Sequence, residues 1–163
     1  MNIGSRGQME APRFQVDVSD YSVSVDEWRR AHSAPNSELP ELNETQREVA
    51  GKFGISEEEY ARSVLASRYG VHRLRKRTTR LGEEIDKILL EVSPGYRVSK
   101  VIAEMFRERW LILIRTSGRD VGVSVPRELG DAFLDSGARE AAEELKARVK
   151  AGLGLGERGV SPR

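Results

Sequence analysis

The fold is decided by residues 96–125, which read YRVSKVIAEMFRERWLILIRTSGRDVGVSV. Three runs within this stretch, at 96–106, 110–116 and 121–125, are rich in β-branched and aromatic residues. Hairpin-length connections separate them. The first run could also be a helix, because its apolar residues fit one face of a helix. We interpret it as a strand, which predicts a small antiparallel three-stranded sheet.

Helical patterns fill the residues before this sheet. A helix at 44–53 is predicted to stop at Gly54, which can adopt the left-handed conformation that commonly ends a helix. A second helix is predicted to run to about residue 69 and to stop at Gly70. A third pattern, with apolar residues three or four apart, ends before residue 94.

The chain divides by composition into one main domain and its extensions. Residues 42–152 form the main domain, for which we predict an α+β fold: a helical central region, the three-stranded sheet and C-terminal helices. Residues 13–33 are predicted to form an extended N-terminal arm of short strands and a short helix. A Ser- and Pro-rich linker at 34–41 joins this arm to the domain. Residues 1–12 and 153–163 are predicted to be disordered tails.

Composition excludes several kinds of chemistry. The chain has no Cys, which excludes disulfides, Cys-ligated zinc, iron–sulfur clusters and thiol catalysis. It has two His residues, neither of them in a metal-binding spacing, and it has no nucleophile-elbow motif. We therefore expect no enzyme activity, no cofactor and no metal site.

Charge and hydropathy indicate the surroundings of the protein. Its 27 basic and 26 acidic side chains give a net charge of +1, so overall charge does not drive it onto a polyanion. The longest apolar run has five residues, at 110–114, far fewer than the about 20 that span a bilayer. The N-terminal residues also lack the apolar core of a secretory signal. We expect a cytoplasmic protein without membrane contact.

Residues 46–65, QREVAGKFGISEEEYARSVL, resemble the helix-turn-helix superfamily of DNA-binding motifs. Ala50 is small where the first helix must let the second cross it, and Gly54 stands at the turn position that needs a positive φ. The apolar positions that pack the two helices together are Val49, Phe53, Ile55, Tyr60 and Val64.

The resemblance implies that residues after the turn face DNA, and it makes Ser56 and Arg62 candidate contacts. The acidic residues at 57–59 would repel phosphates at that place. A plain helical corner without DNA contact is therefore the alternative interpretation.

Residues 68–80 carry six basic side chains and no acidic one, between two segments that are net acidic. On a helix, Arg73, Arg77 and Arg80 share one face with Lys76 beside them, and this cationic stripe lies opposite the apolar positions, which is the arrangement that phosphate-backbone binding requires. The candidate contacts are Arg68, Arg73, Arg75, Lys76, Arg77 and Arg80, with the hydroxyls of Thr78 and Thr79 as further donors. The alternative is a solvated face that pairs with the acidic segments, within the monomer or across a dimer.

Aromatic side chains interleave with a second basic excess, at 96–119. Tyr96, Phe106 and Trp110 could stack bases if the sheet bound a single strand of nucleic acid. The alternative, which we favour, places Phe106 and Trp110 in the core of the sheet domain.

Two functions follow from these patterns. The leading prediction is a non-catalytic nucleic-acid-associated protein, binding DNA rather than RNA, that contacts phosphates through the basic helix beside the helix-turn-helix-like corner, as a dimer. The alternative is a protein–protein adaptor or assembly subunit. Its interfaces with another protein or a second copy would use the charge blocks and the arm, with Phe14, Tyr21 and Trp28 as anchors.

Overall fold

A four-stranded sheet forms one layer of the fold, and helices cover one of its faces. The computed structural model describes residues 13–155, so the predictions for residues 1–12 and 156–163 lie outside the described residues. The predicted disorder from residue 153 onward is wrong for Leu153, which packs against the core. The order of elements is β1 (Gln15–Asp20), α1 (Val25–Ser33), α2 (Glu44–Phe53), α3 (Glu57–Val92), β2 (Arg97–Glu104), β3 (Arg109–Arg115), β4 (Asp120–Pro126), α4 (Arg127–Ser136) and α5 (Arg139–Gly152). The predicted α+β class is confirmed.

The strands predicted from residues 96–125 are present. β2 and β3 pair antiparallel, as do β3 and β4, in the spatial order β1-β2-β3-β4. The ambiguous first run is thus a strand. Alternate side chains of β3, among them Trp110, Ile112 and Ile114, are buried under the helices.

The predicted count of three strands is wrong, because β1 adds a fourth. Residues assigned to the extended arm pair in parallel with β2, with Val16 opposite Val101. Phe14 and Val18 are buried in the main core, so burial of this apolar face explains why the segment joins the sheet. The second extended run predicted in the arm is not a strand, since α1 already begins at Val25, behind the capping residue Ser24.

The predicted helix end at Gly70 is also wrong, because α3 is one helix of 36 residues, about 54 Å long. Gly70 lies where α1 approaches α3 closely: a Cβ there would stand 3.2 Å from Glu27 Oε2. The absent side chain therefore serves a close contact between two helices rather than a helix end. Within residues 13–155, neither α3 nor any other helix combines the length and the apolarity needed to cross a membrane.

The two halves of α3 pack against different neighbours. The C-terminal half lies on β1 and β2, where Gly82 faces the Phe14 ring so closely that a Cβ would overlap it. The N-terminal half packs against α1 in a small second cluster of Ala31, Leu65 and Ala66. α4 and α5 complete the helical layer over β3 and β4. α3 thus connects the sheet to the helical corner.

Candidate nucleic-acid interface

The six cations predicted to bind phosphate all lie on α3, but the structure divides them into two groups. Arg73 and Arg77 form ion pairs with other elements of the chain. The other four are exposed, and they form no salt bridge or side-chain hydrogen bond within residues 13–155: Arg68, Arg75, Lys76 and Arg80. Only this second group is available to a polyanion without breaking an internal pair.

Arg77 ties α3 to α4. Its guanidinium donates to Asp135 Oδ1 at 2.7 Å and to Asp131 Oδ1 at 2.5 Å. The hydrogen bond to Asp135 raises the pKa of Arg77, outweighing the opposite effect of partial burial, and it lowers the pKa of Asp135. Because one guanidinium serves two carboxylates, Arg77 has little capacity left for a phosphate.

Arg73 neutralises a buried carboxylate on α1. It forms an ion pair with Glu27, whose other oxygen accepts a hydrogen bond from the Ser24 backbone N–H at 2.8 Å. Glu27 is only 7% exposed. Burial opposes its ionisation most strongly, but the hydrogen bonds to Ser24 and the charge of Arg73 together hold its pKa below the usual value. Moving Arg73 to a ligand would leave this buried charge unpaired.

The four remaining cations form an arc on the exposed surface of α3, in which Lys76 and Arg80 point away from the sheet and Arg68 and Arg75 lie on the flank beside β1. At 100° per residue the arc spans about 140°, with Lys76 roughly opposite the buried Leu74 and Leu81, whereas Arg75 and Arg80 lie at its edges, each about 100° from one of these leucines. From Arg68 to Arg80 they extend over about 18 Å of helix. Thr79 lies within the same arc, whereas Thr78 is fully buried and accepts a hydrogen bond from Trp110 Nε1 at 3.4 Å. The prediction that Thr78 donates to phosphate is therefore wrong.

The helix-turn-helix-like corner has the expected backbone. α2 ends at Phe53, Gly54 has φ of 67°, and Ser56 caps α3 by accepting a hydrogen bond from the Glu59 N–H at 3.1 Å. However, Phe53 is 76% exposed, contrary to its predicted packing role, because α2 buries only Ala50. The other four apolar positions of the motif are half-buried: Val49, Ile55, Tyr60 and Val64.

Arg62 caps α1 instead of facing outward. Its Nη1 donates to the carbonyl oxygens of Ala31, His32 and Ala34 at 3.1, 3.1 and 2.9 Å, and its Nη2 donates to Asn36 Oδ1. These carbonyls at and beyond the end of α1 would otherwise lack partners. Arg62 and Ser56, the two candidates from the motif, thus both stabilise local structure.

The three candidate anchors of the adaptor hypothesis lie in different environments. Phe14 is buried, and Tyr21 packs against the core. Trp28 is 52% exposed and stacks on His32, with ring centroids 3.8 Å apart. Of the three, Trp28 alone presents a largely open surface.

The aromatic residues near the sheet also differ in their exposure. Trp110 is buried, as we favoured, but Phe106 is 82% exposed at the β2–β3 turn, so its placement in the core is wrong. The Phe106 N–H donates to Asp20 Oδ2 at 3.1 Å, which fixes the turn backbone with the ring outside. The base-stacking set of three aromatic side chains is therefore not present on one surface.

Sequence reasoning missed a groove between β1 and one side of α3. The groove consists of two adjacent cavities of about 570 and 470 Å³, and Tyr21, Val71 and Arg75 line both of them. The spacing of Val64, Val71 and Arg75 on one side of α3 was visible in the sequence. Its opposite wall was not, because that wall depends on the parallel pairing of β1 with a distant strand.

Comparison of the chain with protein-family models, curated proteins and solved structures found no match in any of the three. Within residues 13–155, no cluster of three or more His, Asp and Glu side chains has an arrangement that could hold a metal ion.

Proposed function

We propose that this protein is a non-catalytic nucleic-acid-associated protein that contacts phosphates through the exposed arc of cations on α3. One observation carries the proposal: Arg68, Arg75, Lys76 and Arg80 remain exposed and without an ion pair in the described part of the chain. A cluster of exposed cations on a helix attracts a polyanion, because binding releases the counterions condensed on the polyanion.

The side of α3, rather than its N-terminus, is the surface we propose for binding. Three acidic residues at 57–59 are exposed at the start of the helix and would face the phosphates if α3 entered a groove end-on. The cationic arc instead offers guanidinium forks, which bind phosphate oxygens in bidentate fashion. Contacts of this kind position a protein on nucleic acid without reading bases.

A double helix is the partner that this surface fits better. Binding of single strands usually relies on aromatic side chains that stack bases, and Tyr69, the one Phe, Trp or Tyr among residues 68–80, is covered by the Arg30 guanidinium at 4.3 Å. We propose DNA rather than RNA, because the helical corner next to the basic arc resembles a DNA-binding motif.

The experiment is a salt titration of binding to a duplex of about 20 base pairs, measured by fluorescence anisotropy. Four phosphate contacts predict that log affinity falls against log salt with a slope of about −3.6. Lys76→Gln should make this slope shallower by about 0.9, since one contact is lost. The matched control is Arg119→Gln, an exposed cation in the turn between β3 and β4, which should leave the slope unchanged. Absence of binding at low salt would refute the proposal.

A further inference from the structure

We infer that the groove beside β1 binds an extended, acidic segment of another protein, which adds to the sheet as a fifth strand. This interaction surface goes beyond nucleic-acid association, because it adds the edge of β1, although it shares Arg68 and Arg75 on α3 with the proposed phosphate contacts. Three features carry the inference: an open strand edge, an apolar floor, and a rim with an excess of positive charge.

The open edge belongs to β1. In the sheet order, β1 has β2 on one side, and no described residue pairs with its other side. Five consecutive residues of this strand, 15–19, line the cavity beside it. The N–H of Ser19 is held by Asp17 Oδ1 at 3.1 Å, so the pairing groups available to a partner lie before that residue. An unpaired edge of this kind is the usual template for strand addition.

The floor of the groove is apolar and has the length of a short strand. Val16, Tyr21 and Val71 are half-buried and pack against the main core, and Val64 extends the floor along α3. Residues 64–75 of α3 cover about 16 Å, which matches about five residues of extended chain at 3.3 Å each. Alternate apolar side chains of an added strand would be buried against these residues.

The basic side chains on the rim of the groove predict that the bound segment is acidic. Arg68, His72 and Arg75 line the groove from α3, and Lys100 lines it from β2. The one acidic side chain that lines the two cavities is Asp17, and it pairs with Lys100 at 3.3 Å. Arg68 and Arg75 therefore remain to be matched by carboxylates of a partner.

The other occupants fit less well. Residues 1–12 contain one Arg and one Glu, and residues 156–163 contain two Arg and one Glu, so neither terminal segment of this chain supplies the complementary charge. A second copy joined edge to edge by two-fold symmetry would bring the same side of both α3 helices to the interface. Arg68 and Arg75 would then face their own equivalents, and the like charges would repel.

The experiment uses the full chain and a fluorescent eight-residue peptide of alternating Val and Glu. We expect saturable binding, and at least about tenfold weaker binding of the matching Val and Lys peptide. A Val and Glu peptide that is N-methylated at alternate residues should also lose binding, since it cannot pair with a strand edge. Hydrogen exchange should show that peptide binding protects the backbone amides of residues 15–18.

Arg75 belongs to both surfaces, so Arg75→Glu tests the charge of the rim, and a variant of Lys76 separates this surface from the nucleic-acid interface. Arg75→Glu should weaken the Val and Glu peptide at least about tenfold, whereas Arg119→Glu should not. Lys76→Glu should leave peptide binding unchanged while weakening duplex binding, because Lys76 does not line the groove. Failure of the acidic peptide to bind up to about 1 mM, or binding without protection of β1, would overturn the inference and leave the proposed function standing. If the chain proves dimeric and β1 is protected without peptide, a second copy occupies the edge and the inference is wrong.

Discussion

At the scale of single residues, the packing of α4 on the sheet depends on a glycine. A Cβ at Gly130 would lie 2.6 Å from Trp110 Cε3, inside a buried contact. Gly130→Ala should therefore lower the free energy of unfolding by about 1–3 kcal/mol, because the core is overpacked. Gly51→Ala is the control, since nothing lies within 4 Å of the added methyl group in helix α2. It should raise the free energy of unfolding by about 0.5–1 kcal/mol in urea titrations.

Glu27 makes a single-residue contribution to the pH dependence of stability. Its pKa is lowered in the folded chain, so its ionised form stabilises the fold at neutral pH, and this contribution is lost as the pH falls below the usual value of 4.5. Glu27→Gln should reduce the free energy of unfolding at pH 7, and the difference from the unmodified chain should shrink toward pH 3. A difference that stays constant between these pH values in urea titrations would contradict the assigned ion pair with Arg73.

At the scale of elements, Arg77 holds α4 against α3. Its side chain is 27% exposed, so its two ion pairs are partly shielded from water. Arg77→Met should lower the free energy of unfolding by about 1 kcal/mol, because Asp135 loses its ion partner and Asp131 keeps only Arg127. Arg75→Met, an exposed change on the same helix, should alter it by less than about 0.5 kcal/mol. Equal effects of the two substitutions in thermal unfolding would show that Arg77 does not connect the helices.

The same scale shows how far the sequence predicts the structure. The pairs β2–β3 and β3–β4 join neighbouring runs through short turns, so alternation and turn length were sufficient to predict them. The partner of β1 lies more than 80 residues away, and local alternation carries no information about it. The helix end expected at Gly70 failed because a glycine costs a helix only about 1 kcal/mol, which tertiary packing of α3 readily offsets.

The sequence predicts the location of the candidate site but not which of its cations are free of ion pairs. The composition of residues 68–80 identified α3 as the basic element. It did not identify which cations remain available, because Glu27, Asp131 and Asp135 reach Arg73 and Arg77 from α1 and α4 only in the folded chain. Pairing with distant carboxylates therefore reduces six candidate phosphate contacts to four.

At the scale of the whole molecule, near-neutrality conceals an uneven distribution of charge. The net charge is +1, yet the exposed arc of α3 holds four cations without ion partners in the described residues. If the proposed function is correct, the affinity for a polyanion should depend on where a charge lies on the surface rather than on the total charge.

Duplex binding by two charge-matched double variants tests this claim most directly. Lys76→Glu with Arg80→Glu removes half of the α3 arc, whereas Arg97→Glu with Arg119→Glu makes the same change in net charge at exposed cations outside it. We predict that the first pair weakens binding to a duplex of about 20 base pairs at least tenfold, and that the second changes it less than about twofold. Equal weakening by both pairs, with both variants folded by circular dichroism, would contradict the account.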